Sequence, residues 1–246
     1  MHILFISLPP KRLRQRLVGL ALAAILALLT LLSVEGVKKI VPAAGSGDNP
    51  LFQVATNKSI AALAINVAWG EKHLPELLAA LAEGKVKASF FMVGEWAQRF
   101  PDLTREMAQQ GHELGNHSFT HPYPTQISVE ELVTEIENTA RVVQDLTGQT
   151  SNLFAPPYGQ WNDNVVLTAG ELGYRTIMWT IDSIDWQQPG VEVITRRVLD
   201  NLAPGSIILM HPTEETVKAL PQIMAGAREQ GFKFITVSEL IAEGSP

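Results

Sequence analysis

Two of the six histidines in this chain of 246 residues stand four positions apart, in Gly115-Asn116-His117-Ser118-Phe119-Thr120-His121-Pro122. Neutral imidazole nitrogens suit zinc and other first-row divalent metals, so His117 and His121 form a candidate metal corner. The spacing also fits two unrelated histidines in a Gly/Asn/Pro-rich loop, and only partners elsewhere can decide between these readings. His211 is the third candidate, ending the apolar run Ile207-Ile208-Leu209-Met210 just before Pro212. An imidazole at the mouth of a buried strand can act as a general acid, or can simply cap the strand.

Two other segments carry groups of the right kind. Phe154-Ala155-Pro156-Pro157-Tyr158-Gly159 is a double-proline turn ending in glycine, a geometry that can aim a backbone N–H at a developing oxyanion. Trp179-Thr180-Ile181-Asp182-Ser183-Ile184-Asp185-Trp186 sets two carboxylates beside two indoles. Either Asp182 or Asp185 can orient and charge-tune a histidine, and Trp186 can pack against a sugar face, whereas Trp179 reads as core. The chain has no cysteine, which excludes a disulfide framework, a thiolate metal site and a cysteine nucleophile.

Short apolar runs alternate with helical patterns and must position these groups. Strands are predicted at Ile60–Asn66, Ala88–Val93, His112–His117, Tyr174–Trp179, Ser206–Met210 and Lys233–Thr236, with an extended piece at Asn152–Ala155. Helices are predicted at Leu74–Ala82, Leu103–Gln110, Ser128–Leu146, Asp163–Leu172, Val191–Leu202 and Glu214–Glu229. This alternation argues for parallel βαβ units, closed as a barrel or open as a doubly wound sheet. Asn66, His117, Pro156, Asp182 and His211 then fall at or just after strand C-terminal ends, the face on which βα loops of a parallel barrel converge.

The N-terminal fifth has another character. Lys11, Arg12, Arg14 and Arg16 (residues 1–16) precede an apolar run over 17–34. Eighteen helical residues span about 27 Å, close to the hydrocarbon thickness of a bilayer. The basic flank belongs on the cytoplasmic side. No clear Ala-x-Ala site follows, so an uncleaved signal-anchor in the cell membrane is favoured over a cleaved signal peptide. Residues 35–57 read as a linker and 58–246 as one extracytoplasmic domain. The formal charge is −6 although residues 1–50 are basic, so the domain is acidic, which argues against a nucleic-acid partner.

Taken together, Gly111–Pro122, Ala155–Gly159, Asp182–Trp186 and Ile207–His211, with Lys87–Gly94 in support, resemble in order and spacing the motifs of the NodB-homology polysaccharide deacetylases. The resemblance spans residues 58–240. It implies a distorted (β/α) barrel with about seven strands. It also implies removal of N-acetyl groups from amino sugars of a cell-wall glycan, peptidoglycan or chitin-like, with one divalent metal held by an Asp and two His. Zinc is the expected metal, with cobalt, nickel and manganese as alternatives. Under this scheme His117 and His121 are ligands, His211 is the general acid tuned by Asp182 or Asp185, and the Tyr158 N–H is the oxyanion donor. Pro157, Tyr158, Gly159 and Trp186 line the substrate.

The first motif departs from the family pattern Thr-Phe-Asp-Asp-Gly. Asn66 stands where the family has its base, and Val67 where it has its third ligand. An amide has no useful basicity near neutral pH, and valine cannot ligate. The arginine that pairs with the base is replaced by Ala155, a physically consistent second loss, because such an arginine would face no carboxylate. Two expectations follow. Either Glu71 or His73 enters the site and a metal-dependent hydrolase survives, or the domain is a degenerate relative that keeps glycan or metal binding with little hydrolysis.

Overall fold

The computed structural model describes residues 49–244. The segment expected to cross or enter a membrane lies outside them, and no helix among the described residues is long and apolar enough to span a bilayer.

Strand β1, Ile60–Val67, is apolar in nearly every position and buried on both faces, as the central strand of a parallel sheet must be. Its alternate residues divide the core. Ala62 and Ala64 join an inner cluster with Phe91 and Ile207. Ala61, Leu63, Ile65 and Val67 join an outer one beneath the helices. β2 (Ser89–Met92) and β7 (Ile207–Met210) pair with β1 on its two sides, both parallel. β3 (Glu113–Asn116), β4 (Leu153–Phe154) and β5 (Arg175–Thr176) continue beyond β2, and β6 (Ile181–Asp182) lies beyond β7. β8 (Lys233–Ile235) pairs with the first residues of β1, below β2.

The sheet is thus a curled, incomplete parallel barrel, in agreement with the sequence expectation. Between its edges runs a segment that sequence reading assigns to the linker. Leu51 bridges to Ile177 and Gln53 to Ser206, while Val54 N–H donates to Gly205 O at 3.0 Å. Gly205 has φ +77, and a Cβ there would lie 1.8 Å from Val54 O, so the closing contact requires glycine.

The helices cover the outer face: α1 (Leu74–Gly84), α2 (Gly94–Arg99), α3 (Pro101–Gln109), α4 (Val129–Thr147), α5 (Asp163–Glu171), α6 (Val191–Leu199), α7 (Glu214–Glu229) and α8 (Val237–Ala242). α1 buries Leu74, Leu77, Leu78 and Leu81, spacings that share one helical face. α4 starts at a capping box of Ser128 and Glu131, which satisfies two of the orphan N–H groups. The sequence reading misses α2, β6 and α8, and extends β5 too far, to Trp179. α2 and α8 have six residues each and β6 two, too few for a period to emerge.

Candidate functional site

The C-terminal ends of β1, β3, β6 and β7 surround a cavity of about 340 Å³ lined by Asn66, His117, His121, Tyr158, Asp182 and His211, with Trp69, Trp179 and Trp186 among its walls. The strand-end face therefore gathers the residues that the sequence places there. Trp179 is partly buried against the inner cluster and also reaches the cavity.

His117 follows β3 and is buried. Its Nδ1 lies 2.6 Å from Ala155 O; a carbonyl only accepts, so Nδ1 carries the hydrogen and Nε2 keeps its lone pair. Burial, reinforced by His121, lowers its pKa from 6.5 to about 3. Burial also lowers that of His121. Both rings are therefore neutral near pH 7 and suited to ligation. Their Nε2 atoms lie 3.2 Å apart, close to the separation of about 3.3 Å for two nitrogens bound tetrahedrally to one zinc.

Spacing is not what the corner lacks. Among the described residues no three His, Asp, Glu or Cys side chains converge to hold a metal ion. Asn66 reaches the cavity, but Val67 is fully buried in the outer apolar cluster. The donor set falls short of the Asp-His-His metal that the resemblance implies. The two imidazoles face each other through their Nε2 atoms at the mouth of the cavity.

The loop bearing this pair is held from α4. Asn116 donates to Ile136 O at 2.8 Å and accepts from Ser118 N–H at 3.0 Å. Glu135 accepts from the Phe119 and Thr120 N–H groups, both at 2.7 Å, and from the Thr120 hydroxyl at 2.8 Å. These bonds hold Ser118 at φ 64 and His121 at φ 61, left-handed conformations that cost a non-glycine residue roughly 1 kcal/mol or more.

His211 is anchored from below. Asp185, fully buried, accepts from its backbone N–H at 2.6 Å and from its Nδ1–H at 2.8 Å. A third donor, the Thr216 hydroxyl on α7, reaches the same carboxylate at 2.6 Å. Of the two aspartates that sequence leaves open, Asp185 is the one bonded to His211. Asp182 instead accepts from Ile184 N–H at 2.8 Å and so shapes the turn. Ile184 is left-handed at φ 53, a strained conformation for a β-branched residue that returns Asp185 beneath the histidine.

Above His211 lies a contact that sequence does not foresee. The Trp69 indole stacks on the imidazole, with centroids 5.8 Å apart and planes 4° apart. Gly70 permits it: at φ +88, a Cβ there would lie 2.2 Å from Pro212 O. Glu71 and His73, the expected replacements for the missing groups, lie elsewhere. They line a neighbouring cavity with Lys72, Glu214, Glu215 and Lys218, apart from the histidine pair.

Across the cleft Tyr158, at φ 59, is stacked on Tyr123 with centroids 4.0 Å apart. Pro156 and Pro157 have no N–H, so Tyr158 supplies the first amide hydrogen after Ala155. Burial and the neighbouring Tyr123 raise its phenol pKa. Pro157 and Gly159 build the same turn, and Trp186 is half exposed on the cavity wall.

Comparison with known proteins decides the family. The polysaccharide deacetylase family model matches residues 53–177. A peptidoglycan-N-acetylglucosamine deacetylase of Bacillus cereus is 36% identical over 77% of this chain and 92% of its own. The chain belongs to the polysaccharide deacetylase family. Within this family it is also 36% identical to YlxY of Bacillus subtilis, named an uncharacterized protein, over 79% of this chain and 61% of that one. It therefore spans less than two thirds of that relative.

Among solved structures, a CE4 family pseudoenzyme from Bacillus anthracis superposes with a TM-score of 0.78 at 38% identity, over 79% of this chain and 69% of that one. A mutant of the same protein is described as having restored enzymatic activity, with a TM-score of 0.78 and 37% identity over 79% of this chain and 72% of that one.

Proposed function

We propose that this chain is a non-hydrolytic member of the polysaccharide deacetylase family, one that binds N-acetylated amino-sugar chains of a cell-wall glycan without removing their acetyl groups. One observation carries the reading: at the end of β1 the cavity receives Asn66, and Val67 packs outside it. Asn66 cannot abstract a proton from water, and Val67 cannot ligate a metal. Glu71 and His73 line another cavity, which supports the degenerate alternative over a rewired hydrolase.

Three features support glycan binding. The central cavity is lined by aromatic rings, three histidines and Asp182, with no lysine or arginine, a lining suited to an amphipathic ligand without negative charge. The peptidoglycan-N-acetylglucosamine deacetylase of Bacillus cereus named above shares its family. The apolar run 17–34 with its basic flank supports a domain held at the outer face of a cell membrane. Co-sedimentation of the detergent-solubilised full chain with insoluble peptidoglycan tests the binding claim. Retention in the pellet is expected; a chain that stays wholly in the supernatant contradicts it.

A further inference from the structure

Trp69 is the common wall of three adjoining cavities. It lines the central one of about 340 Å³, one of about 480 Å³ with Lys72, Glu214 and Lys218, and one of about 450 Å³ with Glu95, Arg99 and Thr120. The indole is 44% exposed, although tryptophan is among the most valuable side chains to bury. The His211 ring lies parallel to it in an offset stack, and that ring is fixed by the buried Asp185, which Thr216 holds in turn.

From this arrangement we propose that Trp69 is the sugar-binding platform of the domain, held flat by His211, and that the cleft takes a chain of at least three N-acetylated amino sugars across it. The proposal rests on the glycan-binding reading above and adds the residue and the length of ligand that the reading leaves open. A flat indole backed by a second ring presents an apolar face to the C–H face of a pyranose. Because the plane is already fixed, little side-chain freedom is lost on binding. The flanking cavities mix Glu71, Lys72, Glu214 and Lys218 on one side with Glu95 and Arg99 on the other. Mixed charge serves hydroxyl and acetamido groups; gripping a polymer of a single charge sign calls for a lining of the opposite sign. In a domain that does not hydrolyse its ligand, the Asp185–Thr216–His211 network thus gains a role. His211 acts there as a positioning residue, not as an acid.

Calorimetric titration of the full chain with N-acetylglucosamine, chitotriose, chitopentaose and a peptidoglycan-derived muramyl tetrasaccharide tests the proposal. Affinity is expected to rise about tenfold or more from monomer to trimer. Trp69→Ala is expected to weaken oligomer binding about tenfold, and Trp69→Phe to recover most of it. His211→Asn, whose amide can still donate to Asp185, is expected to weaken binding without lowering the thermal midpoint much. Preference for chitin oligomers or for the muramyl tetrasaccharide assigns the glycan source, and either supports the proposal. Length-dependent binding that is unchanged in Trp69→Ala overturns the platform and leaves the glycan reading standing. Equal affinity for monomer and trimer overturns the extended site. Absence of binding to all four sugars overturns both.

Discussion

Asp185 lies fully buried beneath His211 and accepts both of its N–H groups, backbone and ring, while Thr216 fills a remaining lone pair from α7. Three donors converge on one carboxylate that has no contact with water. Removing it strands all three, so Asp185→Ala is expected to cost about 3–5 kcal/mol. Asp182→Asn, whose side chain lines the cavity and accepts only from Ile184 N–H in the local turn, is expected to cost less than about 1 kcal/mol. Urea unfolding of the two variants measures the difference, and equal losses would contradict this assignment of the His211 partner.

Glu135 should govern the order of the loop that carries the histidine pair. Its carboxylate accepts three bonds from Phe119 and Thr120. Glu135→Ala is expected to lower stability by about 2 kcal/mol and to speed amide hydrogen exchange at those two residues. Unchanged exchange would show that the loop is held by other contacts.

The histidines and the double-proline turn were legible in the sequence because each sits within a few residues of a strand end, and the chain order of the motifs restates the order of the strands. What fixes them was not legible. Thr216 is 31 residues from Asp185, Glu135 is 15 from Thr120, and the Trp69 stack joins residues far apart in the chain. No local pattern announces such pairs. Likewise β6 has two residues and shows no alternation, which left Asp182 and Asp185 indistinguishable until the turn between them was seen. Where the Glu71 and His73 side chains end up is likewise a question of tertiary placement.

Acid should destabilise the domain partly through His112, which lies on the far side of β2 from the cleft. Burial, with Lys87 adding to it, lowers its pKa from 6.5 to about 4. The unfolded chain therefore binds a proton that the folded one refuses, and stability falls as pH drops below about 6.5, levelling off below about 4. At 1.36 kcal/mol per unit the loss is on the order of 3 kcal/mol. His112→Leu should flatten that part of the profile when urea midpoints are compared at pH 7 and pH 4.5. An unaltered slope would remove His112 from the account.

Metal affinity should be recoverable by rebuilding the missing groups together. In Asn66→Asp/Val67→Asp/Ala155→Arg the first carboxylate enters the cavity with His117 and His121, whose nitrogens are already at ligand spacing, and the second joins them by turning out of the outer apolar cluster that holds Val67. Because Val67 is fully buried among apolar side chains, the variant is expected to be less stable than the natural chain without metal. Zinc at about 100 times its Kd should then return roughly 2.7 kcal/mol. Thermal melts with and without zinc read this directly: the variant should shift upward and the natural chain should not.

Acetate release is the most direct test of a domain that binds without hydrolysing. The full natural chain is incubated with chitopentaose and with peptidoglycan, each in the presence of zinc, cobalt, nickel or manganese, and acetate is measured against a protein-free control. The account predicts no release above the control from the natural chain. Release that disappears in His117→Ala would contradict it and restore the hydrolase.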